Sequence, residues 1–152
     1  MKDEFKKILD SIRAIVDSDK SRSEKLEAIC RLLYDSIPHY DWVGFYLADS
    51  EHQQLILGPF IGEPTEHVKI SFGSGICGQA AEKLCTFVVP DVTAESNYLA
   101  CSPKVKSEIV VPVMKEGKIV AELDIDSYTL DAFKSDDKEL LEQICRWVAE
   151  LF

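Results

Sequence analysis

A chain of 152 residues, 46% hydrophobic and 29% charged, can bury one core without metals or disulfide staples and is too apolar to remain disordered. Its formal charge of −10 argues against a nucleic-acid partner, which needs a basic face, and against anionic membrane surfaces. No apolar run in it approaches the roughly 20 residues of a membrane span.

The opening residues interleave lysines with acids and precede no apolar stretch of the secretory kind, and five cysteines is an odd number for a disulfide framework. The expectation is a cytoplasmic chain with its thiols reduced. Residues 2–16 set Phe5, Ile8, Leu9, Ile12, Ile15 and Val16 on one helical stripe, and the polar segment 17–21 interrupts it. A second helix carries Leu26, Ile29, Cys30, Leu33 and Ile37 until Pro38 stops it. The aromatic and β-branched run 42–48 predicts a strand, 54–60 its hairpin partner, and the alternation over 67–72 a third strand.

Gly73 and Gly75 then turn the chain into a short helix through 79–83, followed by a short strand over 87–90. Residues 91–106 have no period and predict a long loop with at most one helical turn, a length of loop that is often functional. A second hairpin, 107–113 with 118–127, turns through Lys115-Glu116-Gly117. Ser135-Asp136-Asp137 caps a last helix that points Leu140, Leu141, Ile144, Cys145, Val148 and Leu151 inward. Helices at both ends around hairpin-connected strands predict an α+β fold, with an antiparallel sheet covered by helices, in one domain over 1–152 that includes an N-terminal helical extension, 1–20.

The cysteines divide by context. Cys30 and Cys145 fall on apolar helical stripes and read as small buried hydrophobes, and Cys85, between a helix and a strand, also reads as structural. Cys77 ends a Gly-rich turn near a helix start. There it is either a small residue packed under a tight turn or a thiol whose pKa the helix dipole lowers. Cys101 lies in a polar stretch that gives packing little to work with, which favours a reactive thiol. His39, His52 and His67 have no paired spacing with the cysteines, so no zinc motif is expected, and the Gly-rich turn lacks the Lys-Ser/Thr ending of a phosphate loop.

Asp124 and Asp126 leave the same face of their strand, opposite Leu123 and Ile125. As close neighbours they repel, which can hold one of them protonated; equally, the pair can be the solvent face of a one-sided sheet. Glu108 joins them if the hairpin register brings it alongside. Trp42 and Tyr46 also share a face, either as core packing or as an aromatic wall for a ligand.

Six blocks in order resemble the GAF-domain enzymes that reduce free methionine-R-sulfoxide: Trp42-Val43-Gly44-Phe45-Tyr46, Leu57-Gly58-Pro59-Phe60-Ile61-Gly62, Gly73-Ser74-Gly75-Ile76-Cys77-Gly78, Leu99-Ala100-Cys101, Ser107-Glu108-Ile109-Val110-Val111-Pro112 and Leu123-Asp124-Ile125-Asp126-Ser127. The resemblance implies a central antiparallel sheet with helices on one side and a loop-closed ligand pocket on the other. It implies Cys101 as the nucleophile, Cys77 as a resolving thiol, and Glu108, Asp124 and Asp126 as the carboxylates around the sulfoxide and the amino group. Trp42 and Tyr46 would enclose the methyl-sulfinyl end. It further implies free methionine sulfoxide as substrate, a thioredoxin-type dithiol as external reductant, no bound cofactor or metal, and a homodimer.

Two departures from the family stand out. His67 occupies the position of a further family cysteine, so the usual disulfide from that position to the nucleophile cannot form, and the residues flanking Cys101 differ from the family's. A non-catalytic GAF module that binds a small molecule or senses redox state is the alternative expectation.

Overall fold

The computed structural model describes residues 1–99 and 102–152. Its helices are α1 (Asp3–Asp17), α2 (Arg22–Ser36), α3 (Gly75–Lys83) and α4 (Ser135–Val148). The strands are β1 (Trp42–Asp49), β2 (Gln54–Ile61), β3 (Lys69–Ser71), β4 (Phe87–Val89), β5 (Ser107–Lys115) and β6 (Lys118–Ser127). They form one antiparallel sheet in the order β3-β2-β1-β6-β5-β4, so the two longest hairpins meet along β1 and β6 at its centre.

Strand alternation decides what each face carries. Val43 and Phe45 of β1, Ile109 and Val111 of β5, and Leu123 and Ile125 of β6 turn to one face, where α1, α2 and α4 cover them with Phe5, Ile12, Leu26, Ile29, Leu140 and Ile144. Each of these side chains contributes about 1.5–3 kcal/mol by leaving water. The opposite face carries a second cluster, with Tyr46, Ile70, Ile76, Ala80, Val110 and Ile119, under α3 and the loop that follows β4. The sheet therefore has two covered faces, and polar residues on the second face are buried as well.

Local chemistry fixes the element ends. The Ser21 side chain accepts from the Glu24 amide at 3.2 Å while Glu24 accepts from the Ser21 amide at 3.2 Å, a capping box that starts α2. Asp137 accepts from the Lys134 amide at 2.9 Å and, through Oδ1, from the Tyr40 hydroxyl at 2.6 Å, tying the start of α4 to the segment that enters β1. The β5–β6 hairpin closes through Glu116 and Gly117, both at positive φ (53° and 78°), the backbone of a type I′ turn.

Two predicted boundaries move. The third strand is regular only over Lys69–Ser71, and Val68, inside the expected range, is 53% exposed. Helix α3 begins at Gly75, earlier than its sequence shows, because a distant side chain supplies the cap: Asn97 Oδ1 accepts from the Gly75 amide at 2.9 Å. Among the described residues of the long loop there is one 3-10 turn, Val92–Ala94. Among the described residues no helix is long and apolar enough to cross a membrane.

Candidate active site

The second face of β6 carries Glu122, Asp124 and Asp126 in a row. On one side the register sets Trp42 opposite Asp126, Gly44 opposite Asp124 and Tyr46 opposite Glu122. On the other it sets Glu108 opposite Asp126, so Glu108 does join the pair. These carboxylates are not solvent-facing: Glu108, Glu122, Asp124 and Asp126 are all buried, Glu122 completely.

Cys77 comes down onto this row from the first turn of α3. Its thiol lies 4.0 Å from Glu108 Oε2, toward which it donates. That approach depends on Gly78, since a Cβ there would lie 2.5 Å from the Ser71 carbonyl oxygen and push α3 off the sheet. The ligand atoms of Cys77, Glu108 and Asp124 all fall within 4.8 Å of one another. Tyr46, His67, Cys77, Leu99, Glu108 and Asp124 are among the residues that line a cavity of about 10 Å³, room for one water. Tyr46 lies under it and donates its hydroxyl to the His67 carbonyl at 2.9 Å.

The electrostatics favour the first of the two readings of Cys77, a packed residue, over a thiol of lowered pKa. Burial pushes its thiol well above the usual cysteine range, and the charge of Asp124, then those of Glu108, Glu122 and Asp126, push it further. Cys77 therefore rests as a neutral thiol. Burial also raises Glu122 and Asp126 well above ordinary carboxylates, with Asp124's charge adding to both. Asp124 is raised by burial too, and hydrogen bonds with Glu108 and Cys77 offset part of that shift.

Asp124 Oδ1, both oxygens of Asp126 and both oxygens of Glu122 have no hydrogen-bond partner among the described residues. Glu108 lies near enough to Asp126, and the Cys77 thiol near enough to Glu122, to draw each carboxyl back somewhat, though outside hydrogen-bond geometry.

Not every expected residue lines the cavity. The Trp42 indole folds flat over Gly44, stacks on Phe60 (centroids 5.3 Å apart, 17° between planes) and donates to the Glu63 carbonyl at 2.9 Å. Trp42 is thus a packed wall behind the site, and Tyr46 is the aromatic that reaches the cavity. Asp126, although opposite the lining residue Glu108, is not itself among the residues that line the cavity. Cys101 lies outside the described residues. Leu99 packs against Gly75, and Asn97 clasps the start of α3, accepting from the Gly75 amide and donating to the Gly73 carbonyl at 2.8 Å. The loop leading to Cys101 is therefore anchored at the mouth of the cavity.

The remaining cysteines follow their surroundings. Cys30 and Cys145 are buried, with thiols raised chiefly by burial. Cys85 is exposed, which corrects the expectation of a packed residue; it borders a surface groove between α4 and β5. Sequence reasoning missed Glu122 and Asn97. The first was legible as one more step of the same alternation, whereas Asn97 had no local signal.

The GAF domain family model matches residues 21–151, leaving only α1 and the termini outside. Free methionine-R-sulfoxide reductase of Saccharomyces cerevisiae is 42% identical over 110 residues, 71% of this chain and 61% of that one. The Escherichia coli protein of the same name is 33% identical over 131 residues, 86% of this chain and 78% of that one. The free methionine-R-sulfoxide reductase of Neisseria meningitidis, solved in complex with its substrate, superposes with a TM-score of 0.92 at 34% identity, covering 97% of this chain and 87% of that one. The chain belongs to the GAF-domain family of free methionine-R-sulfoxide reductases.

Proposed function

We propose that this protein reduces free methionine-R-sulfoxide to methionine, with Cys101 as nucleophile and Glu108, Asp124 and Asp126 as the polar machinery. The observation that carries this reading is the buried carboxyl row beneath a cavity that no described lysine or arginine lines. Such a row attracts an ammonium group, which a free amino acid has and an internal residue of a peptide lacks. Burial raises Glu122 and Asp126 furthest, which favours the protonated form and so supports the second need of the reaction, an acid that can donate to the sulfoxide oxygen. The cavity as it stands has room for one water, so substrate binding requires a lining side chain such as Leu99 to move aside.

In the proposed first step the Cys101 thiolate attacks the sulfoxide sulfur while a carboxylic acid of the row protonates the sulfoxide oxygen. The oxygen passes to Cys101, which becomes a sulfenic acid; the cysteine sulfur is oxidised by two electrons and the sulfoxide sulfur is reduced by two. In the second step a thiol condenses with the sulfenic acid, forming the S–S bond and releasing water. Cys77 is the internal thiol proposed for this step. Glu108, 4.0 Å from its sulfur, is placed to accept the proton. A thioredoxin-type dithiol then restores both thiols by exchange.

Thiol counting tests the assignment. Reduced protein mixed with one equivalent of free L-methionine-R-sulfoxide should lose two thiols for each methionine released, and Cys101→Ser should release none in a single turnover. Methionine release that survives Cys101→Ser would remove Cys101 from the role. Binding without any thiol loss is the behaviour of a non-catalytic GAF module.

A further inference from the structure

We propose that Cys77, Glu108 and Asp124 form a binding site for one thiophilic divalent cation of the zinc class, which occupies the pocket in place of substrate. One sulfur and two carboxylate oxygens, supplied by α3, β5 and β6, lie within 4.8 Å of one another, and all three residues are buried. Ligand atoms around a tetrahedral zinc with sulfur and oxygen donors stand roughly 3.3–3.8 Å apart. The three groups therefore need to draw in by about 1.5 Å or less to close on an ion.

A second observation points to a missing positive charge. Asp124, which lines the cavity, has an oxygen with no hydrogen-bond partner among the described residues, and neither oxygen of the adjacent Asp126 has one. Buried carboxylate oxygens are normally satisfied, and burying several together without a cation is unfavourable. A substrate ammonium supplies one positive charge to this row, and a divalent ion supplies two.

The donor set selects the metal. Magnesium and calcium take oxygen-only sites, whereas a thiolate with two carboxylates suits zinc, cadmium or cobalt(II). Three protein ligands leave a fourth position on the cavity side, where the 10 Å³ of free space accepts one water. On binding, the Cys77 S–H bond breaks, the sulfur–metal bond forms and the proton passes to solvent; no electrons move. Linear spacing hides this arrangement because positions 77, 108 and 124 lie on three elements that only the folded sheet brings together. Occupation would block catalysis because the ion and the substrate use the same side chains. That consequence, unlike the binding itself, rests on the function proposed above.

The test titrates the reduced protein with zinc chloride against a chromophoric chelator, and separately with cobalt(II), whose thiolate-to-metal absorption reports sulfur ligation. One equivalent should bind with the thiolate band present, and Cys77→Ser should weaken binding by roughly 100-fold or more and remove the band. Asp124→Asn, which keeps the side-chain shape, should weaken binding but retain the band at saturating cobalt, and Cys85→Ser should change neither. Absence of one-equivalent binding, a cobalt spectrum without the thiolate band, or zinc affinity unmoved by Cys77→Ser would each overturn the site. Zinc should also depress methionine release, with recovery on adding chelator. Binding at Cys77 with undiminished release would overturn the block on catalysis. A protein that releases no methionine at all would sink the proposed function and leave the binding titration to decide the site.

Discussion

At the scale of single residues, burial sets the chemistry of the site more than sequence context does. Cys77 stands in the first turn of a helix, a place that lowers a thiol's pKa in water. Here burial and the charges of four carboxyl groups hold it neutral instead. Asp124 and Asp126 were legible as a same-face pair from their spacing alone. That they are buried was not, because it depends on α3 and the loop after β4, both distant in the chain, covering that face. Asp124→Asn, which removes the negative charge facing the cavity while keeping its shape, should raise KM for free methionine-R-sulfoxide by about 10-fold or more, the loss of a charged hydrogen bond of roughly 1.5–3 kcal/mol. Steady-state kinetics on the folded variant check this, and an unchanged KM would take Asp124 out of substrate binding.

At the scale of elements, one bulge determines whether the site exists. From the hairpin turn, Lys115 pairs with Lys118 and Met114 with Ile119, but Val113 pairs with Ala121, because one extra residue enters β6 at that point. Beyond it Glu108 lies opposite Asp126; without it Glu108 would lie opposite Ile125, a residue of the helix-covered face. The strands themselves could be read from alternation and the turn from Glu116-Gly117. The bulge left no compositional mark, so the register of Glu108 could not be derived. The Asn97 clasp is equally non-local, joining the loop after β4 to the start of α3. Asn97→Ala should lower kcat with little change in global stability, since the clasp holds a loop while the two cores remain intact. Equal losses in kcat and in unfolding free energy would show it to be a structural latch for α3 instead.

At the scale of the whole molecule, the two covered faces serve opposite ends. The helix-covered core is mainly apolar and supplies the stability, while the second face spends part of it on buried acids. Glu122 and Asp126 have pKa values raised above those of the unfolded chain, so the folded state holds their protons to higher pH than the unfolded state does. Stability from these groups is fully present below about pH 4 and is lost as pH rises through their folded pKa values. Thermal denaturation at constant ionic strength should therefore show the melting temperature falling as pH rises above about 4, with Glu122→Gln, which copies the neutral acid, flattening the slope. Parallel profiles for the two proteins would mean that Glu122 is not held neutral in the fold. The central claim, that the acid-lined cavity serves reduction of a free amino-acid sulfoxide, is tested most directly by methionine release from separate R and S epimers of free methionine sulfoxide with dithiothreitol. The account predicts turnover of the R epimer and none of the same epimer within a peptide. Absence of release from the free R epimer by the reduced protein would contradict it.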